Sequence, residues 1–194
     1  MKKGSIIVIS GPSGVGKGTV VKSVMQRYPN LRFSVSATTR ASRPGEIDGV
    51  NYFFVSRERF EEMIRRNELL EYAQYVGNYY GTPEKSVDEF LSQGFDVLLE
   101  IDVQGALQIR QRRPDAVLIF ITAPTEQELK RRLLERGDTP PEAMKERLAK
   151  AGWECAAAER YDYVVVNDTV ARATEEILHI LENNKEKPAA KAAE

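Results

Sequence analysis

Gly11-Pro-Ser-Gly-Val-Gly-Lys-Gly-Thr19 is the stretch that decides the fold. It follows a short, continuous, β-branched run over 5–10, which reads as a buried strand ended by Gly11. It opens a stretch over 17–28 whose Val20, Val21, Val24 and Met25 recur at the helical period, with Pro29-Asn30 as the stop. A loop of this kind suits phosphate. Glycines let backbone N–H groups turn inward around phosphate oxygens, the helix N-terminus adds partial positive charge, and Lys17 supplies a full one. Gly11, Pro12, Ser13, Gly14, Val15, Gly16, Lys17, Gly18 and Thr19 are therefore a candidate nucleotide cradle; the bland alternative is a glycine-rich turn without a ligand. Gly18 stands where the usual pattern has a Ser or Thr whose hydroxyl touches magnesium. One residue along a helix is a rotation of about 100°, so Thr19 does not simply substitute. Magnesium is then left to nucleotide oxygens, waters and a carboxylate.

Outward from the loop, Asp96-Val-Leu-Leu-Glu-Ile101, Ala116-Val-Leu-Ile-Phe-Ile121 and Tyr163-Val-Val-Val166 read as further buried strands. Helical stretches alternate with them over about 103–112, 125–136, 140–160 and 169–184, and Thr82-Pro83 reads as the cap and first position of a helix over 83–93. Buried strands alternating with helices predict an α/β fold, a three-layer sandwich with a parallel core sheet. Residues 33–94 break the alternation with loop-rich, polar sequence and short strand-like pieces, and read as an insertion. Residues 185–194 are low in complexity and read as a disordered tail.

Composition narrows the chemistry. The chain has 194 residues and a formal net charge of −1, from 28 basic and 29 acidic residues, so no basic excess points to nucleic acid. One cysteine, Cys155, excludes an intrachain disulfide and a cysteine zinc site. The one histidine, His179, lies late in an apolar helix and reads as structural, which leaves triad hydrolysis without material. No apolar run is long enough to span a membrane, and a cytoplasmic protein is expected.

Two acids interrupt the strand Val97-Leu-Leu-Glu-Ile-Asp102. Ligands of open α/β sheets bind beyond the carboxyl ends of strands, and buried carboxylates are costly without partners. Glu100 is either a magnesium-water or substrate contact, or a structurally satisfied acid. Asp102 either reaches magnesium, through water, or caps the helix that starts near Val103. In the window 126–147, Arg131, Arg132, Arg136 and Arg147 are matched by acids at helical spacing, such as Glu128 with Arg132 and Arg131 with Glu135. A salt-bridged solvent face and a polyphosphate clamp both remain open there.

Ser34-Val-Ser-Ala-Thr-Thr-Arg-Ala-Ser-Arg-Pro-Gly-Glu-Ile-Asp-Gly-Val-Asn-Tyr-Phe-Phe54 closely resembles guanylate kinases, as do the phosphate loop, Gly77-Asn-Tyr-Tyr-Gly-Thr82, Glu100-Ile-Asp-Val-Gln-Gly105 and Val166-Asn-Asp168, in order and spacing over about 4–184. The resemblance implies a P-loop NTPase fold with an inserted GMP-binding lobe over about 34–94, a helical lid over about 126–159, and a core formed by about 4–33, 95–125 and 160–184. It implies phosphorylation of GMP, and of dGMP, by ATP with Mg2+. Arg40 and Arg43 would hold the GMP phosphate, with Tyr52 and Tyr80 donating hydroxyl hydrogen bonds. Glu71, with Ser36, Thr82 and Glu100, would read the guanine edge, since guanine presents two adjacent donors and adenine does not. Lys17, Arg40, Arg132, Arg136 and Arg147 would follow the charge of the transferred group, and Asn167 would contact adenine or merely close a turn. Without the resemblance, Arg40 and Arg43 read as solvated loop residues and Glu71 as a surface helix acid. The family often has serine at position 82 and more often aspartate at position 100. Two rivals stand beside this reading: a non-catalytic domain of the same fold that binds peptides, and a related P-loop kinase with another phosphorylated acceptor.

Overall fold

The computed structural model describes residues 3–75, 77–135 and 141–186 (backbone alone at 141–148 and 185–186). Residue contacts divide them into two compact units, one of residues up to Val8 with 30–116, the other of 9–29 with 117 onward, and the division falls inside the first strand.

In the first unit, β1 (Ile6–Ser10) contributes its first three residues to a parallel set ordered β2-β7-β1, with β2 over Leu31–Phe33 and β7 over Asp96–Glu100. Leu31 pairs with Asp96 and Phe33 with Leu98. Asp96 opens β7 by accepting the Ser5 N–H at 2.8 Å. A second sheet has the order β4-β3-β6-β5, where β3 is Ala37–Thr38, β4 Phe53–Phe54, β5 Leu69–Tyr75 and β6 Asn78–Pro83. β5 and β6 are antiparallel, with Glu71 opposite Thr82 and a register shift between Leu69 and Glu71. Helix α2 (Arg57–Arg65) is capped by Ser56, whose hydroxyl accepts the Arg59 N–H. It buries Phe60 and Met63 against Ala37 and Leu69, with Tyr79 stacked on Phe60 at 5.2 Å. The apolar positions of α2 are spaced by three, so both reach one face. Helices α3 (Glu84–Ser92) and α4 (Val103–Arg112) complete the unit.

The expected helix over 83–93 is α3, but Thr82 is not its cap. Thr82 and Pro83 belong to β6 and the helix begins at Glu84. Thr82 lies opposite Glu71, and its hydroxyl bonds across the strand pair rather than to the helix. Sequence reading also missed β2, β3 and most of β5, which are short or lack alternation.

In the second unit the order is β1-β8-β9, with β8 over Val117–Thr122 and β9 over Tyr163–Val166, parallel from Ile119 opposite Tyr163 to Thr122 opposite Val166. Every residue of β1 is buried, and so is β8 except Thr122, as continuous apolar runs require. Helix α1 (Lys17–Arg27) buries Val20, Val21 and Val24 and packs on α7 (Val170–Glu186), where Arg27 meets Glu175 at 2.6 Å. Helices α5 (Glu126–Glu135) and α6 (Pro141–Ala156) lie between β8 and β9 in the chain, α6 passing into a 3-10 turn over Ala157–Arg160. Helix α7 runs two residues into the stretch read as a tail; 187–194 lie outside the described residues. Among the described residues no helix is long and apolar enough to cross a membrane.

Candidate active site

The phosphate loop turns tightly between β1 and α1. Gly11, Gly14 and Gly16 all carry positive φ (147°, 82° and 90°), which L side chains rarely adopt. Gly16 is needed for space as well: a Cβ there would stand 2.8 Å from Asn167 Nδ2. Gly16 is also the residue before α1, so no side chain caps the helix, and no acid occupies its first turn. That leaves the helix dipole uncompensated by protein carboxylate at the end where an anion would sit. Lys17 arches back over the loop, its Nζ donating to Gly11 O at 2.6 Å and Pro12 O at 3.1 Å.

The loop is buttressed from behind. Asn167 is buried, and its Nδ2 donates to Val15 O at 2.8 Å. Its own backbone N–H bonds Thr122 O at the end of β8. Arg132, on α5, donates from Nη1 to Asn167 O at 3.1 Å and from Nε to Glu128 at 2.7 Å. Arg131 also binds Glu128 and pairs with Glu135. These two guanidiniums hold the half-buried Glu128 carboxyl at about 2, far below its ordinary value. Both salt bridges expected from helical spacing are therefore present, and Arg132 reaches the loop while keeping its acidic partner. Arg136 and the side chain of Arg147 lie outside the described residues.

In the first unit, Glu71 and Thr82 form a buried pair. Glu71 is 4% exposed and Thr82 fully enclosed, and the Thr82 hydroxyl donates to Glu71 Oε1 at 2.6 Å. Glu71 stands on a strand, not on a surface helix. Burial pushes its carboxyl up to about 7, the Thr82 hydrogen bond opposes this, and Asp102 adds to it.

Arg40 heads a second cluster in the same unit. Its Nη1 and Nη2 grip both Glu46 oxygens at 3.0 and 2.8 Å, a bidentate pair. Its guanidinium lies 5.4 Å from the Tyr52 ring centre, and Tyr80 meets Tyr52 edge-on at 6.0 Å. Burial raises the Tyr52 hydroxyl, with Tyr80, Glu100 and Glu46 adding and Arg40 opposing. Tyr80, Arg40 and Glu100 are thus electrostatic neighbours of Tyr52. Glu46 was not foreseen. It comes back to Arg40 through the turn Arg43-Pro-Gly-Glu46, closed by Glu46 N–H to Arg43 O at 3.0 Å with Gly45 at φ 87°. The Arg43 N–H donates to Glu46 Oε2 at 2.7 Å, and Arg43 itself is exposed. Ser36 is half-buried at the foot of β3, its carbonyl accepting the Phe53 N–H.

Glu100 ends β7 half-buried, and Asp102 caps α4, with Oδ1 accepting the Gly105 N–H at 2.9 Å. The capping role weighed for Asp102 is thus realised with one of its oxygens. Among the described residues no three His, Cys, Asp or Glu side chains converge to hold a metal. Two carboxylates at one strand end fit a magnesium ion bound chiefly by phosphate oxygens and water, which needs few protein ligands.

The guanylate kinase family model matches residues 3–184. A guanylate kinase of Streptococcus pneumoniae (strain ATCC BAA-255 / R6) is 54% identical over 181 residues, 93% of this chain and 87% of that protein. One from Synechococcus sp. (strain JA-3-3Ab) is 51% identical over 179 residues, 92% of this chain and 82% of its own. The crystal structure of guanylate kinase from Anaplasma phagocytophilum superposes with a TM-score of 0.79 at 36% identity, over 96% of this chain and 88% of that one.

Proposed function

This chain belongs to the guanylate kinase family, and on that premise we propose which of its residues carry the ATP-dependent phosphorylation of GMP to GDP. A GMP phosphate oxygen attacks the γ-phosphorus of ATP in line, a new P–O bond forms, the β–γ bridge breaks, and ADP leaves. The acceptor oxygen is ionised near neutral pH, so no strong base is required. Catalysis is then positioning and charge stabilisation.

The phosphate loop 11–19 takes the ATP phosphates. Lys17 exchanges its bonds to Gly11 O and Pro12 O for phosphate oxygens. Asn167 serves ATP by fixing the Val15 carbonyl and lying near adenine. Arg132, with Arg136 and Arg147, stabilises the transferred charge from a lid over about 126–159. The lobe over about 34–94 takes GMP. Arg40 and Arg43 hold its phosphate, Tyr52 and Tyr80 donate to it, and Glu71 accepts from the two donors of guanine, with Ser36, Thr82 and Glu100 around the base. Magnesium, when bound, neutralises the donor phosphates. Asp102 would reach it through water.

The observation that carries this reading is the buried Glu71–Thr82 pair, a carboxylate kept in an apolar setting where only matched donors satisfy it. The reading extends to dGMP, which presents the same base, and to a cytoplasmic location. Its test is ADP production from ATP with GMP, dGMP, AMP, CMP and a sugar phosphate as acceptors. GMP and dGMP should turn over, with AMP slower by about 10⁴ in kcat/KM. Equal turnover of AMP or of the sugar phosphate would overturn it.

A further inference from the structure

β5 is an edge strand, yet part of its outer backbone edge is not left to solvent. Helix α4 takes them with side chains. Gln108 Oε1 accepts the Tyr72 N–H at 3.1 Å, and Gln108 Nε2 donates to Tyr72 O at 2.7 Å. One primary amide thus imitates the neighbouring strand that the edge lacks. Arg112 Nη1 donates to Leu69 O at 2.6 Å. The residues gripped, Leu69 and Tyr72, flank Glu71 on its strand, and the β5–β6 register shifts between Leu69 and Glu71. Such irregularities re-aim side chains. The third contact is made by an absence. A Cβ on Gly105 would lie 2.9 Å from Glu71 Cδ and overlap Oε2, so the carboxylate rests against bare helix backbone. Positions 105, 108 and 112 are spaced to lie along one face of α4.

We propose that Gly105 and Gln108 are positioning residues that fix where the Glu71 carboxylate stands and thereby set the preference for guanine. Gln108 holds the strand segment carrying Glu71, and Gly105 provides the recess its second oxygen occupies. Neither touches the base. The inference rests on reading Glu71 as the guanine acceptor, and it adds the residues that give that acceptor its aim.

The test is steady-state kinetics with GMP, AMP and ATP on the parent, Gly105→Ala, Gln108→Ala, Gln108→Glu, Glu71→Gln, Glu71→Asp and the double variant Gly105→Ala with Glu71→Asp. Gly105→Ala and Gln108→Ala should each raise KM for GMP about tenfold and lower the GMP-over-AMP preference by a similar factor, with KM for ATP unchanged. Gln108→Glu keeps the acceptor for the Tyr72 N–H and should fall between Gln108→Ala and the parent. Glu71→Asp withdraws the carboxylate from the added methyl, so its penalty should be smaller in the Gly105→Ala background than alone. A general loss of stability would raise both KM values or lower active protein alone; it would not move base preference. If Glu71→Gln loses the preference while Gly105→Ala and Gln108→Ala keep it, the positioning role is wrong. If Glu71→Gln itself keeps the preference, the guanine reading fails first.

Discussion

Thr82 donates a 2.6 Å hydrogen bond to the Glu71 carboxylate across the β5–β6 pair, and both side chains are buried. The bond favours the charged form but is outweighed by burial, which leaves Glu71 titrating at about 7. On the proposed reading a base with two donors would complete what Thr82 begins, so that ligand binding and proton loss would be coupled at this residue.

GMP affinity should therefore follow pH. Guanine donors require the ionised carboxylate, and with a value of about 7 roughly half the sites are ready at pH 7 and about a tenth at pH 6. KM for GMP should be level near pH 8 and rise about fivefold between pH 7 and 6. In Glu71→Gln this rise should shrink to the roughly twofold dependence set by the second ionisation of the GMP phosphate at about 6. KM measured across pH 6–8 checks both.

The same burial has a stability cost. Glu71 is raised in the folded chain from an ordinary 4.5 to about 7, so the native state holds the proton more tightly than the unfolded one. Its contribution is complete below 4.5 and is lost as pH rises through 7, by about 3 kcal/mol. Glu71→Gln lacks this titration and still offers an oxygen to Thr82. It should be more stable than the parent at pH 8 and close to it at pH 5, by urea unfolding at the two values.

Arg40 is held ready by both oxygens of Glu46. A planar fork can offer two parallel bonds to phosphate, which lysine cannot. Arg40→Lys should lower kcat/KM for GMP by about a hundredfold, from two charge-assisted bonds lost. KM for ATP should not change. Initial rates at varied GMP and fixed ATP decide this.

On the proposed reading Asn167 serves the other substrate. Its buried side chain fixes Val15 O, in the middle of the phosphate loop. Asn167→Ala leaves that carbonyl without this donor, so KM for ATP should rise about tenfold with KM for GMP unchanged. A rise in the GMP value alone would remove Asn167 from the donor side.

The phosphate loop could be read from sequence because every part of it is contiguous: β1, the turn at 11–16 and α1 are one run of chain. The buried strands β7 and β8 were equally legible as apolar runs, and so was β9, although of its residues only Val165 is buried and Val164 is exposed. β5 was not. Leu69, Leu70 and Glu71 are buried in succession, so no alternation marks the strand and Glu71 looks like a helix acid. The partners that define Glu71 are remote in sequence; the clamp on the next residue comes from 36 positions away. Thr82 looks like a cap because it precedes proline and a helix, and only its position opposite Glu71 redirects the hydroxyl. Motif resemblance supplied Glu71 as a candidate where periodicity could not, and gave no sign of Glu46 or Gln108.

The most direct measurement is the ratio of kcat/KM for GMP to that for AMP, taken at pH 8 for the parent and Glu71→Gln. A carboxylate that reads guanine predicts a parent ratio of about 10⁴ or more that falls by at least about a hundredfold in Glu71→Gln. A ratio that survives the substitution would place base recognition elsewhere.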